Sequence, residues 1–289
     1  MVAGAELFFE GLLAAAARFG ISAFVLTVLV SGFELENLAA GIAANAKGLE
    51  RAAAGTFLGG TTFLALAVAG LGAAISPLRA GLPRTVLVLT AAAPLPLLAL
   101  ALDGDISRLD GALLLVWFAL AMAGLWRSGR GLVGGEPPRR KRFALLRVVV
   151  GLAVLTAAGE LLGEGIRRTV SRFGISETLL GNTAVAASVE AEEVGRVAAP
   201  ARRGRGDVAL ANVVGTIVHF IAFNAGVIAL VRPLDLDSDS RWLHLPVAAA
   251  SPVLLAGMLA WRGGLGRGAG LLLLGLYAAY VAAAVIVAS

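Results

Sequence analysis

Residues 32–48, GFELENLAAGIAANAKG, and residues 188–204, SVEAEEVGRVAAPARRG, are one kind of segment written twice. Each puts glutamates into apolar surroundings and closes on a basic residue followed by glycine. The likeness extends along the chain in order. GAELFFEG (4–11) answers AGELLGEG (158–165), and RFGIS occurs at 18–22 and again at 172–176. TFLGGTTFLALAVAG (56–70) answers NVVGTIVHFIAFNAG (212–226). The offset is 154 between Gly20 and Gly174 and 156 between Gly48 and Gly204, so the second copy gains two residues. Four matches in one order make an internal repeat.

The surroundings of these copies are membrane-like. Of 289 residues, 58% are hydrophobic and 15% charged, and the mean hydropathy is +0.87. Ten candidate spans follow, at 3–18, 21–46, 52–75, 84–102, 111–127, 144–170, 175–201, 208–232, 243–261 and 268–287. Most are long enough to cross a hydrocarbon core of about 30 Å; the first is short. The expected fold is an all-α polytopic membrane protein of two five-helix halves, 1–127 and 144–289. They are joined by a basic Gly/Pro-rich linker at 128–143. Five helices between copies is an odd number, so the second copy enters the bilayer from the opposite side. Inverted repeats of this kind build many secondary transporters, with the site at the midplane between the copies.

Charge sets the expected orientation. With the N-terminus outside, 16 Lys/Arg fall in inside loops and helix ends, Arg196 counted among them, and 8 fall outside. The positive-inside rule then places both termini outside and the linker in the cytoplasm, in a prokaryotic plasma membrane. The same rule accounts for the pI of about 10.6 without a nucleic-acid partner. The expected partners are the lipid bilayer and transported cations; oligomeric state is open, and a monomer suffices. The start of the chain has no basic n-region, so no cleavable signal peptide is expected. There is no cysteine, hence no disulfide or thiolate metal site. Two histidines in all, with neither H-E-x-x-H nor G-x-S-x-G, argue against an intramembrane hydrolase, so the chain is not expected to be an enzyme.

The second copy carries a specific likeness. GISETLLGNTAVAASVEAEEV (174–194), followed by RRGRGDVALANVVGTIVHFIAFNAG (202–226), resembles the α-repeat of the sodium/calcium exchanger superfamily, the cation/Ca2+ antiporters. The agreement is good at Gly174–Glu177, Gly181, Thr183, Asp207, Ala209, Asn212, Val213, Val214 and Gly215. The resemblance implies broken second and seventh helices packed on the third and eighth, with cations held between them. It also shows departures. The family's G-T-S-x-P-E becomes Ser188–Glu193 in one half and Gly32–Asn37 in the other. Its carboxylate thus falls on Glu193 and on Asn37, its serine on Glu190 and Glu34, and its proline on Glu192 and Glu36. The last polar ligand of the G-S-N-x-x-[ND] signature becomes Leu64 and Phe220.

A charge at the bilayer centre costs at least about 2.5–3.5 kcal/mol, so acids there need a use. Glu34, Glu190, Glu193 and Asn37 are the candidate cation ligands. Carboxylates gathered at low dielectric bind hard cations through oxygen and repel one another, which couples protonation to cation binding. Pairing with arginine, or facing a watery cleft, is their alternative fate. Glu36 and Glu192 lie two residues on, about 200° round a helix, and either point away or satisfy backbone in a break without proline. Thr61, Thr216, Asn212 and His219 are secondary candidates for which interhelical hydrogen bonding is the plainer role. Glu6, Glu10, Glu160 and Glu164 form like-charged i,i+4 pairs in the first and sixth helices. The expected function is secondary active antiport of Ca2+ or another cation against Na+ or H+, by alternating access at a midplane glutamate site with no cofactor. A passive cation channel and a diverged, non-transporting scaffold are the competing readings.

Overall fold

In the computed structural model the described residues are 2–19, 22–31, 35–79, 81–129, 143–154, 157, 168, 172 and 191–288. Glu34, Glu160, Glu164, Asn182, Thr183, Glu190 and nearly all of the linker lie outside them, as do most of the expected spans at 144–170 and 175–201.

The protein is helical because a chain of this hydropathy must satisfy its backbone internally within lipid. In the first half α1 is Val2–Phe19, α2 Ala23–Ser31 and α3 Leu35–Ala46. Next, α4 (Glu50–Thr62) runs through a π-helical segment, Phe63–Val68, into α5 (Ala69–Ile75). Then come β1 (Leu78–Arg79), α6 (Arg84–Ala92), α7 (Leu95–Leu100), β2 (Asp105–Ile106) and α8 (Arg108–Gly129). The second half supplies α9 (Ala144–Val154) and α10 (Ala191–Arg202). In it α11 (Gly206–Val218) passes through a second π segment, His219–Asn224, into α12 (Ala225–Val231). β3 (Leu234–Asp235), a π turn at Ser240–His244, α13 (Leu245–Arg262), β4 (Gly264–Leu265) and α14 (Arg267–Ala288) complete it.

The repeat governs the backbone to the residue. Adding 156 carries α3 onto α10, α4 onto α11, and one π segment, 63–68, onto the other, 219–224. It also carries Gly48, at φ 76°, onto Gly204, at φ 70°. Beyond α6 and α7 the offset is 159, which carries β2 onto β4 and α8 onto α14. This later gain of three residues coincides with a break at 93–94 in the first half that the second half replaces with one continuous helix. The expected single span at 84–102 is accordingly two helices, interrupted before Pro94–Leu95–Pro96, where proline removes backbone donors.

Burial separates core from rim. The windows in Ala52–Ile75 and Gly206–Val231 are each 83% buried, whereas those in Arg108–Gly129 and Arg267–Val287 are 28% and 22% buried. The rim helices turn Leu109, Leu113, Val116 and Leu120, and Leu271, Leu272, Leu276 and Ile286, outward. On a membrane protein that is the lipid face. The core pair reaches about 36–39 Å at 1.5 Å per residue, and among the described residues five helices are long and apolar enough to span. A sixth span follows if α1 and α2, bent by 119° at their junction, count as one.

The halves interlock. β1 pairs with β4 (Leu78 with Leu265, Arg79 with Gly264), and β2 pairs with β3 (Ile106 with Leu234, Asp105 with Asp235). Each ribbon takes one strand from each half, and the repeat exchanges them. Gly111 and Gly226 bring α8 and α12 into backbone contact, and their mates Gly270 and Gly70 do so for α14 and α5. A Cβ on Gly226 would meet the Gly111 carbonyl oxygen at 2.8 Å, and one on Gly70 would meet that of Gly270 at 2.9 Å.

Candidate functional site

Where α10 leans on α11, polar side chains are buried together. Glu193 is 0% exposed, Asn212 1%, Arg196 4% and Glu192 6%. Glu192 and Glu193 occupy the first turn of α10, where the helix dipole favours negative charge. One turn on, Arg196 faces both at i+4 and i+3. Its Nη2 donates to Glu192 Oε1 at 2.5 Å, and its Nη1 donates to Glu193 Oε1. Asn212 Nδ2 donates to the other carboxylate oxygen, Glu193 Oε2. On its far side the guanidinium carbon lies 5.8 Å from the centroid of Phe8, which α1 lays against α10.

The remaining sequence candidates are placed as follows. Asn37, the mate of Glu193, is buried at the start of α3. Glu36 is on the same turn, but its side chain lies outside the described set, and Glu34 and Glu190 lie outside it altogether. Thr61 and Thr216 are fully buried on α4 and α11, and Thr61 Oγ1 makes no hydrogen bond among the described residues. His219 heads the second π segment. Its Nδ1 donates to the Gly215 carbonyl at 2.8 Å, and its ring meets Phe118 edge-on at 4.8 Å. Glu6 and Glu10 reach out of this cluster. Glu10 pairs with Arg147 at 3.0 Å and with Arg203 at 3.3 Å, and Glu6 pairs with Arg203. Among the described residues no three acidic or histidine side chains gather as a preformed metal cage.

Arg196 is a correction. Charge counting places it among the inside loop and helix-end cations, yet it is buried in the middle of α10, and without it the expected count is 15 against 8. The sequence does carry the signal: E192-E193-V-G-R196 is the i,i+3 and i,i+4 spacing at which carboxylate and guanidinium meet on a helix.

What the cluster can do chemically follows from this geometry. Two carboxylates and one guanidinium leave one net negative charge, held at low dielectric and lined with amide oxygen and nitrogen. Such a centre can take up a cation or a proton, and among the described residues no nucleophile is set against a base in it.

The comparisons bear on what holds it. The family model described as "Sodium/calcium exchanger protein" matches residues 1–127 and 143–286, that is, both halves. The chain belongs to the sodium/calcium exchanger family. It is thus an integral membrane protein of a transporter family and not an enzyme. This exchanger-family protein is 28% identical to the inner membrane protein YrbG of Escherichia coli K12, over 91% of this chain and 87% of that one. It is 26% identical to the putative antiporter CaxA of Alkalimonas amylolytica, over 88% and 85%. Its fold matches that of the sodium-calcium exchanger NCX_Mj with a TM-score of 0.83 at 24% identity, covering 97% of this chain and 93% of that one.

Proposed function

We propose that this family member is a secondary active cation antiporter, exchanging Ca2+ or another cation for Na+ or H+ at a glutamate site between the inverted halves. The observation that carries the reading is Glu193, a fully buried carboxylate whose two oxygens are held by Arg196 and Asn212. Pairing with Arg196, the alternative fate named for these acids, is observed for Glu193 and offsets its burial cost; its cation role is read from its place at the family's carboxylate position. The family's exchangers, and the antiporter named among the relatives, support the reaction class. Asn37 and the acids Glu34 and Glu190 complete the proposed ligand set, with Glu36, Glu192, Thr61, Thr216, Asn212 and His219 around it. Both termini on the outer face and a cytoplasmic linker belong to the same proposal.

Alternating access gives the carboxylates two faces to meet in turn. Occupied by a cation or a proton, the site is closer to neutral, and carrying it across the hydrophobic barrier is less costly than carrying it empty. The test is gradient-driven 45Ca2+ and 22Na+ uptake into proteoliposomes. Glu193→Gln is expected to lose exchange at least about 100-fold, a barrier change of about 2.7 kcal/mol. Unaltered uptake by this variant removes the proposed site. Cation currents with no counter-ion dependence replace the antiporter by a passive channel.

A further inference from the structure

The site already contains a cation, covalently attached. Arg196 is 4% exposed, its two terminal nitrogens bond two different carboxylates, and a phenyl ring closes over its carbon. The other half has no charge at the matching position. The mate of Arg196 is Ala40, an exposed residue on α3. In that half a glutamate and an asparagine, Glu36 and Asn37, stand where Glu192 and Glu193 stand. The arginine therefore accompanies the extra carboxylate of the second half and answers its charge.

We infer that Arg196 is a specificity-determining residue, a tethered counter-ion that competes with the transported cation for Glu193 and Glu192. This rests on the reading of Glu193 as part of the cation site. A hard cation needs carboxylate oxygens, and one oxygen of each is bonded to the guanidinium. The cation thus has to displace a fork-shaped donor whose geometry suits carboxylates well. Its apparent affinity is lowered by the fraction of time the carboxylates are released. A divalent ion that needs several carboxylate oxygens at once is penalised more than a monovalent ion or a proton that needs one. The same contact keeps the empty site from exposing two bare carboxylates to the membrane interior.

The experiment is isothermal titration of the full chain in detergent, with CaCl2 and NaCl as separate probes, beside proteoliposome uptake of the same ions. If Arg196 holds the carboxylates nine-tenths of the time, Arg196→Ala lowers the half-saturating Ca2+ concentration about tenfold, with a smaller gain for Na+. Arg196→Lys, a point charge without the fork, falls between wild type and alanine. Should Arg196→Ala fail to fold, Arg196→Ala with Glu192→Gln removes the cation together with one carboxylate and reads the same competition at Glu193. Ca2+ binding unchanged or weaker in these variants, with the wild-type elution profile retained, overturns the inference. Tighter binding with no gradient-driven uptake by wild type removes the exchange reading and leaves the competition standing. Uptake by wild type with unchanged titrations does the reverse.

Discussion

The two halves have one backbone and two chemistries. Element follows element in the same order in 35–129 and 191–288, at an offset of 156 as far as β1 and β3 and of 159 from β2 and β4 onward, with the α6–α7 break as the exception. At the centre, though, Glu193 stands against Asn37 and Arg196 against Ala40. A second contrast lies at the end that carries the β2–β3 ribbon. There Asn45 Nδ2 donates to the Ile228 and Arg232 carbonyls at 3.1 and 2.6 Å. Arg232 returns a bond to the Asn45 carbonyl at 3.2 Å and lies 3.4 Å from Glu50. Arg108 also reaches the Leu230 carbonyl, at 3.2 Å. These donors satisfy the carbonyls left over where α12 ends. Their mates at the β1–β4 end are Ala201, Ser76 and Gly206, in place of Asn45, Arg232 and Glu50. Much of the shape is thus shared between the halves, while the buried ion pair sits in one copy and the side-chain clamp joins both copies at one end. Among the glycines, the repeat keeps the pairs Gly48/Gly204, Gly70/Gly226 and Gly111/Gly270.

That contrast can be broken in several places. The largest expected effect is at the centre. Glu193→Ala leaves a buried guanidinium short of one partner and is expected to cost about 3–5 kcal/mol. Asn37→Ala at the mated position should cost about 1–3 kcal/mol. Thermal unfolding in detergent compares the pair, and equal losses would erase the asymmetry. Next, Gly226→Val and Gly70→Val force a side chain into the backbone of the opposing helix, at a cost of about 3 kcal/mol each. Because the repeat carries one glycine onto the other, matched losses sharpen the comparison and unmatched ones blur it. Asn45→Ala should cost about 1–3 kcal/mol by stripping donors from buried carbonyls, measured by the same unfolding assay. Ala201→Asn in the other half should return nothing. The smallest effect is expected of Glu50→Gln, below about 1 kcal/mol and fading in high salt, since its partner Arg232 is half exposed.

The legible part of this molecule is the part with punctuation. The glycines, the G-I-S motif and the glutamates mark the repeat and its early offset, so α3, α4, α10 and α11 align from their residues alone. The shift to 159 falls among Ala/Leu-rich helices, where one turn of sequence resembles the next and only packing sets the register. The two-residue ribbons are too short for any periodicity to reveal. Arg196 escapes for a different reason. Counting charges by sign takes an arginine near the end of an expected span as a solvent-side cation, although its i+3 and i+4 spacing to two glutamates marks a buried ion pair. The apolar positions around Thr61 and His219 give no indication of the π segments Phe63–Val68 and His219–Asn224.

The crossed strands have a mechanical meaning. Since each ribbon holds one strand from either half, and the glycine contacts likewise join α8 to α12 and α14 to α5, neither half has a complete boundary of its own. The polypeptide between them is a tether of convenience. Expressed as two separate chains cut within the linker, the halves should find each other and co-purify, as two hands clasped at both wrists stay together when the string between them is cut.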